Sequence, residues 1–185
     1  MEFAAVLGVE TVAVLSGSPL GNPEAWAREL LTSADGLGQY LLIFLLAATP
    51  LLEILVVIPI GVTLGLNPVS VAIVAFLGNL LPIYGIIAAH ERVDALLEQR
   101  RDGSEPSGRR KRARQLWDQY GLPGLAVASP ISTGVHLAAL LALGLGSTRR
   151  STTLWMTGAI AAWTVVITVG SVTALSALSA VQSFI

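Results

Sequence analysis

The chain has 185 residues, of which 54% are apolar and 12% are charged, and its mean hydropathy is +0.72. Soluble domains carry about 25% charged residues, so this composition predicts an integral membrane protein and argues against a soluble one. The formal net charge is −1 and there is no cysteine, which excludes disulfides and thiolate metal sites.

The first 36 residues form an acidic lead-in. They carry five acidic residues against a single base, Arg28. Residues 3–16 resemble a signal peptide but lack its positive start, so we expect a short helix at the membrane interface. A membrane span or a cleaved segment remain the alternatives for 3–16. We expect the whole of 1–36 to be extracytoplasmic.

Residues 37–66 are apolar but interrupted, whereas residues 68–89 form one run long enough to cross a bilayer. We therefore predict a re-entrant hairpin over 37–66, followed by a transmembrane helix over 68–89 that Pro82 kinks. The interruptions in the hairpin segment are Pro50, Pro59, Gly61 and Gly65.

The strongly charged part of the chain is 90–118, which has eight basic and six acidic residues after His90. The positive-inside rule predicts that this loop is cytoplasmic. The acidic neighbours of its basic cluster argue against nucleic-acid binding.

Residues 119–148 are again apolar and broken. If they crossed the membrane once, Arg149 and Arg150 would lie outside, against the rule that places basic residues inside. We therefore predict a second re-entrant hairpin over 119–148, a span over 153–175 and a tail over 176–185. The interruptions are Pro123, Pro130, Gly134, Gly144 and Gly146.

The two halves share a proline and glycine spacing. In the first half, Gly65 follows Pro50 by 15 residues and Gly78 follows Gly65 by 13. In the second half, Gly144 follows Pro130 by 14 residues and Gly158 follows Gly144 by 14. Together with the opposite sides of entry, this predicts an all-α integral membrane protein built as an inverted repeat of a hairpin plus a transmembrane helix.

Irregular backbone at membrane depth is tolerated where it lines a polar cavity, so both hairpins point to one central path. Glu53 is the one carboxylate between Asp35 and Glu91. An apolar environment disfavours a charged carboxylate, so we expect Glu53 to take up and release a proton near neutral pH. The alternative is a structural role, with Glu53 bonded to backbone that Pro50 and Pro59 free.

The second hairpin offers hydroxyls and one imidazole as further candidates, although small polar residues also serve helix packing. Arg149 and Arg150 are possible contacts to a ligand head group, with a topology signal as the alternative. The two histidines, His90 and His136, cannot form a zinc site by themselves, so we expect no metal and no cofactor. The predicted path comprises Glu53, Pro50, Pro59, Gly61, Asn79, Pro130, Ser132, Thr133, Gly134 and His136.

The segments PLLEILVVIPIGVTLGLNPVSVAIVAFLGN and YGLPGLAVASPISTGVHLAALLALGLG, with the charged region between them, resemble the small multidrug export family of prokaryotic membrane proteins. More distantly, two re-entrant hairpins are similar to the DedA (VTT-domain) superfamily, whose members are implicated in lipid movement. The resemblance covers about 37–175. It implies a multi-pass protein of the prokaryotic plasma membrane.

These observations predict a small secondary transporter, because the chain has no glycine-rich phosphate loop or hydrolase motif that would indicate an ATP-driven pump or an enzyme. Proton coupling through Glu53 is expected. The alternatives are a DedA-like lipid or lipid-carrier flippase and a membrane interaction protein without transport. Expected partners are membrane lipids, a small-molecule or lipid substrate and, given the small size, a second copy of the chain.

Overall fold

The computed structural model describes residues 21–50, 52–89 and 108–182. The predictions for residues 3–16, for most of the charged loop and for the last three residues of the tail lie outside these ranges. The prediction for His90 also lies outside them.

The described part of the chain is helical and contains no strand. This confirms the predicted all-α class and is compatible with a membrane protein. The seven helices within the described ranges are α1 (Pro23–Thr32), α2 (Leu37–Ala47), α3 (Glu53–Thr63), α4 (Pro68–Ala88), α5 (Gly108–Ser132), α6 (Val135–Gly144) and α7 (Arg149–Gln182).

Two of these helices, α4 and α7, are long and apolar enough to cross a membrane. At 1.5 Å per residue, the 21 residues of α4 extend about 31 Å. By contrast, α2, α3 and α6 are apolar helices of 10 or 11 residues, about 15 to 17 Å long, too short to cross a hydrocarbon core of about 30 Å.

The outward face of α4 is apolar. Val69, Ile73, Leu77 and Leu81 are all more than half exposed, and their spacing of four residues places them on one side of the helix. In water such a stripe would be unfavourable, whereas lipid chains solvate it well. The exposed face of α4 therefore suits a bilayer.

Each short helix pair is separated by a break. Helix α2 ends at Ala47 and α3 begins at Glu53, and between α5 and α6 the chain turns at Gly134, whose φ of 82° is positive. Two of the prolines predicted to interrupt the hairpins do not break a helix. Helix α3 continues through Pro59, and Pro130 lies inside α5.

The sequence of α5 explains why Pro130 does not end it. A proline removes the N–H that would donate to the carbonyl four residues earlier, here that of Ala126. The hydroxyl of Ser129 donates to this carbonyl at 2.8 Å, so the carbonyl keeps a partner. Helix α5 also runs past residue 118, where we predicted the charged loop to end, and is interrupted at Gly121, which has a φ of 63°.

The helices pack around α4 and α7, which contact each other. Helices α2 and α3 pack against α4, helices α5 and α6 pack against α7, and two cross contacts join α3 to α7 and α6 to α4. Glycines allow the closest approaches: a Cβ at Gly78 would collide with the backbone carbonyl of Phe44, and one at Gly61 would meet Val71 at 3.0 Å.

Helices α3 and α6 end in the same way. Leu66 N–H donates to Gly61 C=O and Gly65 N–H to Val62 C=O; the corresponding bonds run from Ser147 to Ala142 and from Gly146 to Leu143. Gly65 and Gly146 both have positive φ, as this helix ending requires. The sequence comparison paired Gly65 with Gly144, but the glycine with positive φ at the end of α6 is Gly146, and Gly144 is still helical.

Candidate functional site

The two helix breaks meet at the side chain of Glu53. This residue begins α3, and its Oε1 atom accepts a hydrogen bond from the backbone N–H of Val135, the first residue of α6, at 3.1 Å. Glu53 is 6% exposed. A carboxylate at the N-terminus of a helix is stabilised by the unpaired N–H groups and the helix dipole there, and Glu53 makes such a contact to a helix of the other break.

The backbone of the second break is shaped to receive this carboxylate. The N–H groups of Thr133 and Gly134 both donate to Ser129 C=O, at 3.1 and 2.7 Å, which leaves the Val135 N–H free for Glu53. A Cβ at Gly134 would lie 3.0 Å from Oε1 of Glu53. Glycine at 134 therefore permits both the positive φ and the close approach of the carboxylate.

His136 provides a second donor to the same oxygen. Its Nδ1 atom lies 3.1 Å from Oε1 of Glu53, and the residue is 5% exposed. Because an ionised carboxylate only accepts hydrogen bonds, Nδ1 carries the shared proton when Glu53 is charged. The Nε2 atom of His136 is buried and has no partner among the described residues.

A cavity of about 170 Å³ lies between the two breaks. One wall comes from the start of α3 and the turn before it, and the other from the end of α5 and the turn after it. The ten lining residues are Pro50, Leu52, Glu53, Leu55, Val56, Pro130, Ile131, Ser132, Thr133 and Gly134.

The structure brings together some of the residues predicted for the path. Pro50, Glu53, Pro130, Ser132, Thr133 and Gly134 line the cavity, and His136 contacts Glu53. Pro59 and Gly61 lie further along α3 and do not line this cavity. Arg149 and Arg150 are exposed at the start of α7 and do not line it either.

Asn79 is placed in the core, away from the lining of the cavity. It is fully buried in α4, and neither polar atom of its amide has a partner among the described residues. Leaving such an amide without partners costs free energy, so Asn79 is the least satisfied polar side chain of the described core.

Sequence reasoning missed the backbone donor of Val135 and the apolar residues of the cavity wall. A main-chain N–H has no signature in the sequence, and Leu52, Leu55, Val56 and Ile131 resemble every other aliphatic residue around them. The start of a helix after Thr-Gly was the one available signal for a free donor at 135. Among the described residues no group of three or more histidines and acids is placed to hold a metal.

Residues 53–166 match the model of the family described as "Putative small multi-drug export protein". This is more than half of the chain. The chain belongs to this family.

Membership of the small multidrug export family confirms the resemblance seen in the sequence. The matched region starts at Glu53 itself and includes both sides of the Glu53 contact, together with α4, α6 and the first part of α7. The family and the two long apolar helices indicate a membrane protein. No curated protein and no solved structure matches the chain.

Proposed function

We propose that this member of the small multidrug export family is a secondary transporter in which Glu53 carries the coupling proton. The observation that carries the proposal is the placement of one buried carboxylate where two helix breaks meet, on the wall of a cavity. Broken helices and intramembrane carboxylates mark substrate and proton paths in transporters.

The proposal treats α2 with α3, and the end of α5 with α6, as re-entrant hairpins. Helices α2, α3 and α6 are apolar and too short to cross a bilayer, and the part of α5 after its interruption at Gly121 has a similar length. A long helix follows each pair. Their turns contact each other through Glu53 and Val135. Two hairpins whose tips meet near the middle of the bilayer would satisfy the freed backbone groups within the protein.

A two-fold repeat is supported by the packing. If α2, α3 and α4 exchange places with α5, α6 and α7, every helix contact within this set corresponds to another contact that is present. The matching ends of α3 and α6 make Gly65 equivalent to Gly146, which is an offset of 81 residues. The same offset makes Asn67, which caps α4, equivalent to Thr148, which caps α7. With this offset, the residue equivalent to Glu53 in the second half is Gly134.

One contact supports inversion of the two halves. Tyr84 of α4 hydrogen-bonds Thr157 of α7 at 2.9 Å. If the offset of 81 holds, the symmetry-related contact would join residues 76 and 165, so that a lower residue number on α4 would correspond to a higher one on α7. The two long helices would then be antiparallel, which places the two-fold axis in the plane of the membrane.

Proton coupling follows from the chemistry of the contact between the tips. When Glu53 is ionised, its Oε1 atom accepts hydrogen bonds from the Val135 N–H and from the His136 ring. A proton on Glu53 removes the charge that both donors bind, and this weakens the contact between the tips. Substrate and proton would alternate at the same carboxylate, which links release of one to binding of the other.

The proposed location is the plasma membrane of a prokaryotic cell, with several passes and with the loop of residues 90–118 in the cytoplasm. The exposed apolar faces would contact membrane lipids. A homodimer would enlarge the small enclosed path that a chain of 185 residues provides.

Transport in proteoliposomes tests the proposal. With an acid interior, the protein should accumulate a permanently cationic dye that also carries amino N–H donors, such as ethidium, and Glu53→Gln should reduce the rate to that of protein-free liposomes. Glu29→Gln, which alters an exposed acid of α1, should transport normally. A normal rate for Glu53→Gln would make this acid structural. If wild-type protein moves a fluorescent phospholipid and no dye, the flippase alternative replaces the export proposal, and activity toward neither favours the interaction protein.

A further inference from the structure

The cavity between the helix breaks is smaller than a pocket that holds a drug-sized molecule. Its volume of about 170 Å³ falls below the roughly 300 to 1,000 Å³ of drug-sized pockets. Six of its ten lining residues are aliphatic or proline, from Pro50 and Leu52 to Ile131. A ligand that fits has a short apolar part.

The cavity also contains one oxygen of the Glu53 carboxylate to which no described residue donates. Glu53 lines it, and both donors to its carboxylate reach Oε1, while no described residue donates to Oε2. The side chain of Glu53 is 8% exposed. A donor that binds this oxygen of an ionised Glu53 would form a charge-assisted hydrogen bond.

Oxygen atoms of the second break add further acceptors. The hydroxyl of Ser132 donates to Ala128 C=O at 2.7 Å, which leaves its lone pairs available. The hydroxyl of Thr133 makes only a long contact of 3.4 Å to Gly134 C=O. Both residues line the cavity at the end of α5, where the helix dipole is negative.

No described side chain in the cavity wall supplies an N–H donor. The Val135 N–H and the His136 ring bind Oε1 of Glu53, and none of the ten described lining residues has a side-chain N–H. The one charged group among the described lining residues is the carboxylate of Glu53, so an ionised Glu53 favours a cation that carries hydrogen-bond donors.

We propose that this cavity binds the head of a primary alkylammonium compound, with its –NH₃⁺ group at Oε2 of Glu53 and its alkyl part against the aliphatic wall. A primary ammonium has three donors and no acceptor, which matches a carboxylate oxygen accompanied by two hydroxyl oxygens. This inference rests on the proposed transport function, since it names the class of substrate that reaches Glu53.

Equilibrium binding to the purified full-length protein in detergent tests the ligand class. The probe is n-propylammonium, and its binding is measured by saturation-transfer NMR or calorimetry. Tetramethylammonium has the charge without the donors, and n-propanol has the alkyl part without the charge. Saturable binding of n-propylammonium that exceeds that of both comparison compounds is expected, and equal binding of tetramethylammonium or n-propanol would overturn the proposal.

Variants locate the site. Glu53→Gln should weaken n-propylammonium binding by about 10- to 100-fold, because a charge-assisted hydrogen bond is lost, while Glu29→Gln should bind as the wild type does. Thr133→Val, which removes one acceptor at nearly constant volume, should weaken binding roughly two- to tenfold. Unchanged affinity in either Glu53→Gln or Thr133→Val overturns the assignment, and Thr133→Val decides the question if Glu53→Gln fails to fold.

The binding assay and the transport assay test the two proposals independently, so that either proposal can be overturned without the other. Absence of n-propylammonium binding together with acid-driven dye accumulation would remove the ammonium assignment and leave the transporter. Saturable binding that Glu53→Gln abolishes, with no gradient-driven transport of any probe, would retain the site and remove the transport function.

Discussion

Nδ1 of His136 lies 3.1 Å from Oε1 of Glu53, and 83 residues separate these two buried side chains along the chain. The contact joins the first residue of α3 to the second residue of α6. It is therefore a direct bond between the two halves of the molecule, made at the point where each half is broken.

Removal of the His136 donor should loosen this junction. His136→Phe leaves the carboxylate of Glu53 buried with one donor fewer, and we expect the free energy of unfolding to fall by about 1–3 kcal/mol. His136→Asn retains an N–H donor close to the ring-nitrogen position and should recover much of that loss. Thermal unfolding of the two variants in detergent measures the difference, and equal stability of Phe and Asn variants would contradict a hydrogen-bonded role.

Gly134 offers a test of how closely the carboxylate must approach. Gly134→Ala combines a positive φ of 82° with a Cβ 3.0 Å from Oε1 of Glu53. Gly146→Ala is the matched control, because its φ is 93° and nothing lies within 4 Å of its Cβ. Both variants should lose about 1 kcal/mol from backbone strain.

We expect Gly134→Ala to lose additional stability and to reduce dye transport, since it displaces the carboxylate. Gly146→Ala should transport at the wild-type rate. If the two variants transport equally well, the position of Glu53 against the second break does not matter for function.

The closest helix approach in the first half is made at Gly78. A Cβ there would collide with the backbone carbonyl of Phe44 in α2, whereas at Gly85 of the same helix nothing lies within 4 Å. We expect Gly78→Ala to lower stability by about 1–3 kcal/mol through overpacking, and Gly85→Ala to be neutral or slightly stabilising. Thermal unfolding of both variants measures this, and equal stability would argue against close packing of α2 on α4.

The hydrogen bond between Tyr84 and Thr157 should couple α4 to α7. A double-mutant cycle with Tyr84→Phe and Thr157→Val isolates its contribution, which we expect to be about 0.6 kcal/mol, as for polar contacts between membrane helices. Additive effects of the two substitutions would show that these side chains do not stabilise the helix contact.

The sequence alone predicted the helical class and drew attention to Glu53, because long stretches without charge are rare in soluble proteins and a single acid among them stands out. Proline was a poorer guide to the breaks. Helix α5 keeps Pro130 because Ser129 satisfies the carbonyl that the proline leaves, and such a local compensation is visible only when the side-chain positions are known.

The partners of Glu53 could not be derived from the sequence. One is a backbone N–H, which every residue except proline has, and the other is His136, which packing brings into contact across 83 residues. Local patterns do not encode contacts of that separation. The sequence also did not show that Gly146, and not Gly144, corresponds to Gly65 at the end of its helix, because this depends on which glycine adopts positive φ.

The central claim is that the two hairpins enter from opposite sides and meet at Glu53, and single-cysteine labelling tests it most directly. The chain has no cysteine, so Thr63→Cys, Ser104→Cys and Ser147→Cys can each be probed alone with a membrane-impermeant thiol reagent. We predict that Ser104→Cys and Ser147→Cys react only from the cytoplasmic side and Thr63→Cys only from outside. Reaction of Ser147→Cys from outside would contradict the account.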